Sequence, residues 1–156
     1  MNLNWLVPLL LPFATFWVRR QEALILKRGV PLDDSHLEIA RALGVRNPEN
    51  VRLLQVDSVP VPVPQTLLSA LPKRWFSFFP EAIAGMTLGY GISLHKKWGT
   101  SKLVLRHELV HVAQYERLGG VRPFLKEYLR ECLSDGYPNG VLEREANVLS
   151  CRSMEA

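Results

Sequence analysis

Two histidines four residues apart, His107 and His111, stand in the stretch RHELVHVAQYE (residues 106–116), with Glu108 directly after the first. In a helix, residues i and i+4 lie one above the other, so both imidazoles can address a single metal ion. Glu108 is turned by about 100° from His107, which puts it near a water on that ion rather than among its ligands. Imidazole nitrogens bind zinc at about 2.0–2.1 Å, and a catalytic zinc takes a third protein ligand and leaves the fourth position to water. Bound zinc lowers that water's pKa to about 7, and a nearby carboxylate takes its proton as it attacks a polarised carbonyl. The spacing therefore points to metal-assisted hydrolysis. Its specificity is moderate, since shuffling this composition would produce it in on the order of one percent of chains. The bland alternative is a helix whose histidines are buried and hydrogen-bonded.

A third ligand is the discriminating requirement. One solution places glycine at 114 and histidine at 117; Gln114 and Arg117 exclude it. The stretch LEREANVLS (residues 142–150) offers another, a glutamate on a second helix. Glu143 and Asn147 fall one turn apart, so Glu143 can ligate while Asn147 supports a ligating histidine from behind. Glu145 faces roughly the other way and reads as a surface charge; it is the alternative ligand, with Glu143 preferred. In the loop before this helix, Tyr137 is the candidate donor to a developing oxyanion, against a plainer role packed beside Pro138. Tyr90 and Tyr115 are weaker candidates. His95 could line a cleft, and His36 has no evident partner.

These residues need elements to position them. Thr100 or Ser101 can cap a helix that carries the histidines to about Leu118, where Gly119 and Gly120 end it. A helix over about Arg122–Ser134, the loop DGYPNG and a last helix over Val141–Ser153 follow. Before the histidines, GMTLGYGISLHKKWG (residues 85–99) places Leu88, Tyr90, Ile92 and Leu94 at period two, which predicts one strand. Val51–Val59 predicts another. Between them, Pro60–Pro64 is an extended connector, since prolines lack ladder donors. A short helix over Gln65–Leu71 and an aromatic run at Arg74–Pro80 complete that stretch. Asp33 or Asp34 can cap a helix over Ser35–Leu43, with Gly44 after it. Further upstream, Trp17, Leu24 and Ile25 recur at helical spacing from Phe13 to Arg28, and Gly29 is a suitable stop.

The 156 residues fit one core, divided here into an apolar amino-terminal helix (1–30) and one domain (31–156). Basic residues are scattered, so the net charge of +4 points away from nucleic acid. Weak attraction to anionic lipid is the more economical partner, and plain solvated surface charge is the reading preferred over it. Residues 2–18 carry no charge and are followed by Arg19 and Arg20. The run is short for a span and interrupted by Pro8 and Pro12. It lacks the charged start and small-residue cleavage site of a secretory signal. A helix packed on the domain or lying on a membrane surface is expected, on the cytoplasmic side if arginine placement governs. Cys132 and Cys151 form no framework; two buried thiols in a reducing compartment are expected.

From TLGYGISL, through His107-Glu108-Leu109-Val110-His111 with Gln114, to Glu143-Arg144-Glu145-Ala146-Asn147, the chain resembles the zincin metallopeptidases of the glutamate-ligand (gluzincin-like) subtype, specifically small bacterial zincin-like domains. The resemblance covers about residues 85–153. It implies a minimal α+β fold, a small antiparallel or mixed sheet with an active-site helix and a ligand-bearing carboxyl-terminal helix. It also implies zinc on His107, His111 and Glu143. A peptide or protein substrate would add along a strand edge, placed here at Leu88–Leu94. Where the family has aspartate after alanine, this chain has Asn147, which keeps an acceptor and loses a charge. The expected activity is zinc-dependent peptide-bond hydrolysis with Glu108 as base. The competing expectation is a zinc-stabilised interaction module without turnover. Substrate identity and oligomeric state are not encoded in these motifs.

Overall fold

The computed structural model describes residues 3–62, 83–99 and 101–152. Their elements run α1 (Val7–Arg28), β1 (Val30–Pro31), α2 (Asp34–Ala42), β2 (Arg52–Val56), β3 (Gly85–Leu88), β4 (Gly91–His95), α3 (Lys102–Leu118), α4 (Val121–Asp135) and α5 (Val141–Arg152), with short 3-10 turns at Asn4–Leu6 and Pro48–Asn50. The fold is mixed α+β, as expected. Helix α1 starts before Phe13 because Pro8 falls in its first turn, where no intrahelical donor is needed. Asp33 caps α2, its carboxylate accepting from His36 N at 2.8 Å. The expected strand over Val51–Val59 contracts to β2, and Pro60–Pro62 are irregular. The helix expected over Gln65–Leu71 and the aromatic run at Arg74–Pro80 lie outside the described residues.

The sheet has strand order β1-β2-β4-β3, with β2 and β4 parallel and the other pairs antiparallel. The single strand expected through Leu88–Leu94 is instead a hairpin. Gly89 takes φ +67°, a left-handed conformation, and turns the chain between Leu88 and Gly91. The apparent period of two is thereby split. Ile92 and Leu94 face a core made with α2, α3 and α5, whereas Leu88 joins α1 and α4 on the opposite face. β3 forms one edge of the sheet, with β4 held inside it. Antiparallel partners alternate in their bonding, and His95 N donates to Ala84 O at 2.9 Å. Gly85 and Thr87 therefore turn their backbone N–H and C=O away from β4.

Helix α3 begins at Ser101, whose hydroxyl accepts from Val104 N, and stops at Gly119, φ +96°. It packs beneath β3 and against α5, while α4 packs on α1 and α3. Leu109, Val110 and Val112 are completely buried, which fixes the rotation of α3 and hence the direction of its histidines. Cys132 is buried but Cys151 is exposed, since it follows Ser150 onto the solvent face of α5; both are free thiols. Among the described residues no helix is long and apolar enough to cross a membrane.

Candidate metal centre

One face of α3 presents His107 and His111 with their Nε2 atoms 3.1 Å apart. The first turn of α5 brings Glu143 between them, Oε2 at 3.3 Å from His107 Nε2 and Oε1 at 3.5 Å from His111 Nε2. A tetrahedral ion with bonds of 2.0–2.1 Å separates its ligand atoms by about 3.3–3.4 Å. The Nε2–Nε2 separation and the two Nε2–carboxylate separations, which involve different oxygens of Glu143, lie near that edge length. His107, His111 and Glu143 thus form a group that could hold a metal ion, with two imidazoles and one carboxylate as its donors.

The electrostatics suit the role. Burial opposes ionisation of Glu143, but hydrogen bonds with His107 and His111, the His111 charge and the Tyr128 hydroxyl outweigh it and hold the carboxyl far below its ordinary range. Tyr128, on α4, donates to Glu143 Oε1 at 2.7 Å. Its own pKa is raised by burial and by the Glu143 charge, so it remains a donor. Burial lowers the pKa of His111, while Glu143, Glu108 and Gln114 raise it by more.

Gln114 orients His111. It is fully buried, and its Nε2 donates to Leu142 O at 2.9 Å and to Glu145 Oε2 at 2.8 Å. That fixes its Oε1 as the acceptor for His111 Nδ1 at 2.8 Å. The His111 Nε2 is therefore directed at Glu143 and His107. Glu145 is neither ligand nor free surface charge, because Arg117 grips both its oxygens at 2.7 Å. Asn147 does not support a histidine. It is exposed, one turn farther along α5 than Glu143, and Gln114 takes the place expected for it.

Glu108 is buried beside the ligands, with Thr87 Oγ1 2.7 Å from its Oε2 and 2.9 Å from its main-chain oxygen. A Cβ on Gly85 would lie 3.0 Å from Glu108 Cγ and Oε1, so β3 approaches this closely only as glycine. The three ligand residues and Glu108 line a cavity of about 290 Å³. Its other walls are largely apolar, among them Leu10, Ala14 and Trp17 of α1, Met86 of β3, and Leu125 and Leu129 of α4. Tyr137 lines the same cavity, its pKa pushed up to about 12 by burial and then by the charges of Glu143 and Glu108. Its hydroxyl bonds to no described residue.

The remaining candidates fall elsewhere. Tyr115 stacks on Phe124 with ring centroids 3.8 Å apart and donates to Thr87 O at 3.3 Å, so it supports the cavity wall. Tyr90 donates to Glu116 at 2.8 Å, His95 accepts from Lys97 N, and His36 lies 3.0 Å from Asp33. Tyr128 and Thr87 had no signal in the sequence; each reaches the site only through packing of its element on α3. No family model, curated protein or solved structure matches the chain.

Proposed function

We propose that this chain is a zinc-dependent peptide-bond hydrolase of the glutamate-ligand zincin kind. The observation that carries the reading is the convergence of His107, His111 and Glu143, whose donor atoms lie within 4.8 Å of one another, with a buried carboxylate, Glu108, beside them. Two imidazoles and a carboxylate in a four-coordinate arrangement suit zinc. When bound there, the ion would supply Lewis acidity to a water and to the scissile carbonyl. Thr87 holds Glu108 Oε2, leaving Oε1 to take the proton from the attacking water and return it to the leaving amine. Tyr137 donates a hydrogen bond to the developing oxyanion. The outward backbone groups of Gly85 bind the substrate chain alongside β3, and the apolar cavity receives a bulky apolar side chain. Cys132 and Cys151, both free, suit a reducing compartment.

Purified chain should carry close to one zinc per molecule by mass spectrometry of metals. Glu108→Gln should keep that zinc and lower hydrolysis of apolar peptides by about a hundredfold or more. A folded chain that binds no metal would overturn the reading. Zinc retained with no hydrolysis by the unmodified chain would instead favour a zinc-stabilised interaction module.

A further inference from the structure

The first half of α1, with the turn before it, is apolar on every side. Val7, Leu11 and Val18 are buried on its inner face. On the opposite face, Trp5, Leu9, Phe13 and Phe16 are 70%, 71%, 59% and 67% exposed. At 3.6 residues per turn these four share an arc of about 80° and extend along about 17 Å of helix. A helix that is apolar all round calls for burial all round, and a contiguous exposed patch of this kind marks an interaction surface.

The charges indicate which surface. Arg20 and Lys27 continue the same face beyond Phe16, with Arg19 and Arg28 beside them, and all four are exposed. The one acidic residue of α1, Glu22, accepts from Tyr90 N at 2.9 Å and is engaged with the hairpin. The outer face of α1 is thus apolar over its first turns and basic over its last.

We propose that α1 docks the protein on an anionic bilayer, lying in the interface with Trp5, Leu9, Phe13 and Phe16 among the acyl chains and its basic residues against lipid phosphates. It lies on the bilayer rather than spanning it, because no described helix is long and apolar enough to cross. The inner face of the same helix supplies Leu10, Ala14 and Trp17 to the cavity of the metal centre. Docking therefore holds that cavity about one helix diameter, roughly 10 Å, from the lipid. The docking stands whether or not the metal centre turns over a substrate.

The test is co-flotation of the full chain with vesicles of phosphatidylcholine, with or without phosphatidylglycerol. Binding is expected to the anionic vesicles, to weaken with added salt, and to be several-fold lower on neutral ones. Phe13→Ser with Phe16→Ser, and separately Arg19→Glu with Arg20→Glu, should each reduce partitioning about tenfold, with thermal midpoints unchanged because the positions are exposed. No binding by the unmodified chain, or equal binding to neutral vesicles, would overturn the proposal. So would a dimer in sedimentation equilibrium that the phenylalanine variant dissolves, which would assign this face to a second copy.

Discussion

Gln114 and Tyr128 show how much of the centre depends on residues that touch no metal. Gln114 sets the ring of His111, and Tyr128 holds one oxygen of Glu143. Gln114→Leu should weaken zinc binding by about 10–100-fold, measured by competition with a chromogenic chelator. Glu143→Ala and Glu145→Ala separate ligand from support. Glu143→Ala should abolish stoichiometric zinc, whereas Glu145→Ala should retain it and lose about 1–2 kcal/mol of stability, because it removes the half-exposed Arg117 pair and one acceptor of the buried Gln114 amide. A Glu145→Ala protein without zinc would reverse that assignment. His107, His111 and Glu143 were readable because helical spacing alone places each on a predictable face. The partners of Gln114 were not, since they come from α5, whose approach no local pattern specifies.

At the level of elements, the β3–β4 hairpin sets β3 against Glu108. Gly89 adopts a left-handed φ of +67°, and a Cβ there would collide with the Glu22 carboxylate. Gly89→Ala should therefore destabilise the fold by about 1–2 kcal/mol in urea titration, a result that an extended strand at this point would not produce. Gly85→Val acts differently. Its side chain would displace Glu108 from the position Thr87 gives it, so zinc content should persist while hydrolysis falls about tenfold or more. Helices α2, α3, α4 and α5 were legible from caps, glycine stops and apolar periodicity, to within a few residues, whereas α1 starts at Val7, well ahead of the expected Phe13. The hairpin was not, because Leu88, Tyr90, Ile92 and Leu94 mimic one alternating strand when the turn at Gly89 is unseen.

Across the whole molecule, charged groups on α3 tie distant segments together. Glu116 accepts from Arg46 N, from Asn47 N and Nδ2 and from the Tyr90 hydroxyl at 2.6–3.0 Å. Burial would raise its pKa, but these bonds lower it below the ordinary 4.5. A carboxyl depressed in the folded state contributes stability above pH 4.5, and that contribution is lost as pH falls through the folded value, because the unfolded chain then binds more protons. Urea midpoints should accordingly drop between pH 6 and about pH 3, and Glu116→Gln should flatten that drop. Zinc, if held by His107, His111 and Glu143 as proposed, would act on the same balance. At a hundredfold excess over Kd it should stabilise the fold by about 2.7 kcal/mol, read as a higher thermal midpoint that a chelator reverses.

The sequence by itself determined the helices, the α+β class and the identity of the donor residues, since caps, periodicity and i to i+4 spacing are local properties of the chain. Only the tertiary structure decided that Glu143 meets the histidines while Glu145 braces Gln114, that β3 rather than β4 lies at the sheet edge, and that Trp5, Leu9, Phe13 and Phe16 stay uncovered. Those outcomes depend on how separate elements rotate and pack against one another. That is set by burial summed over the whole core, and no short window of sequence contains it.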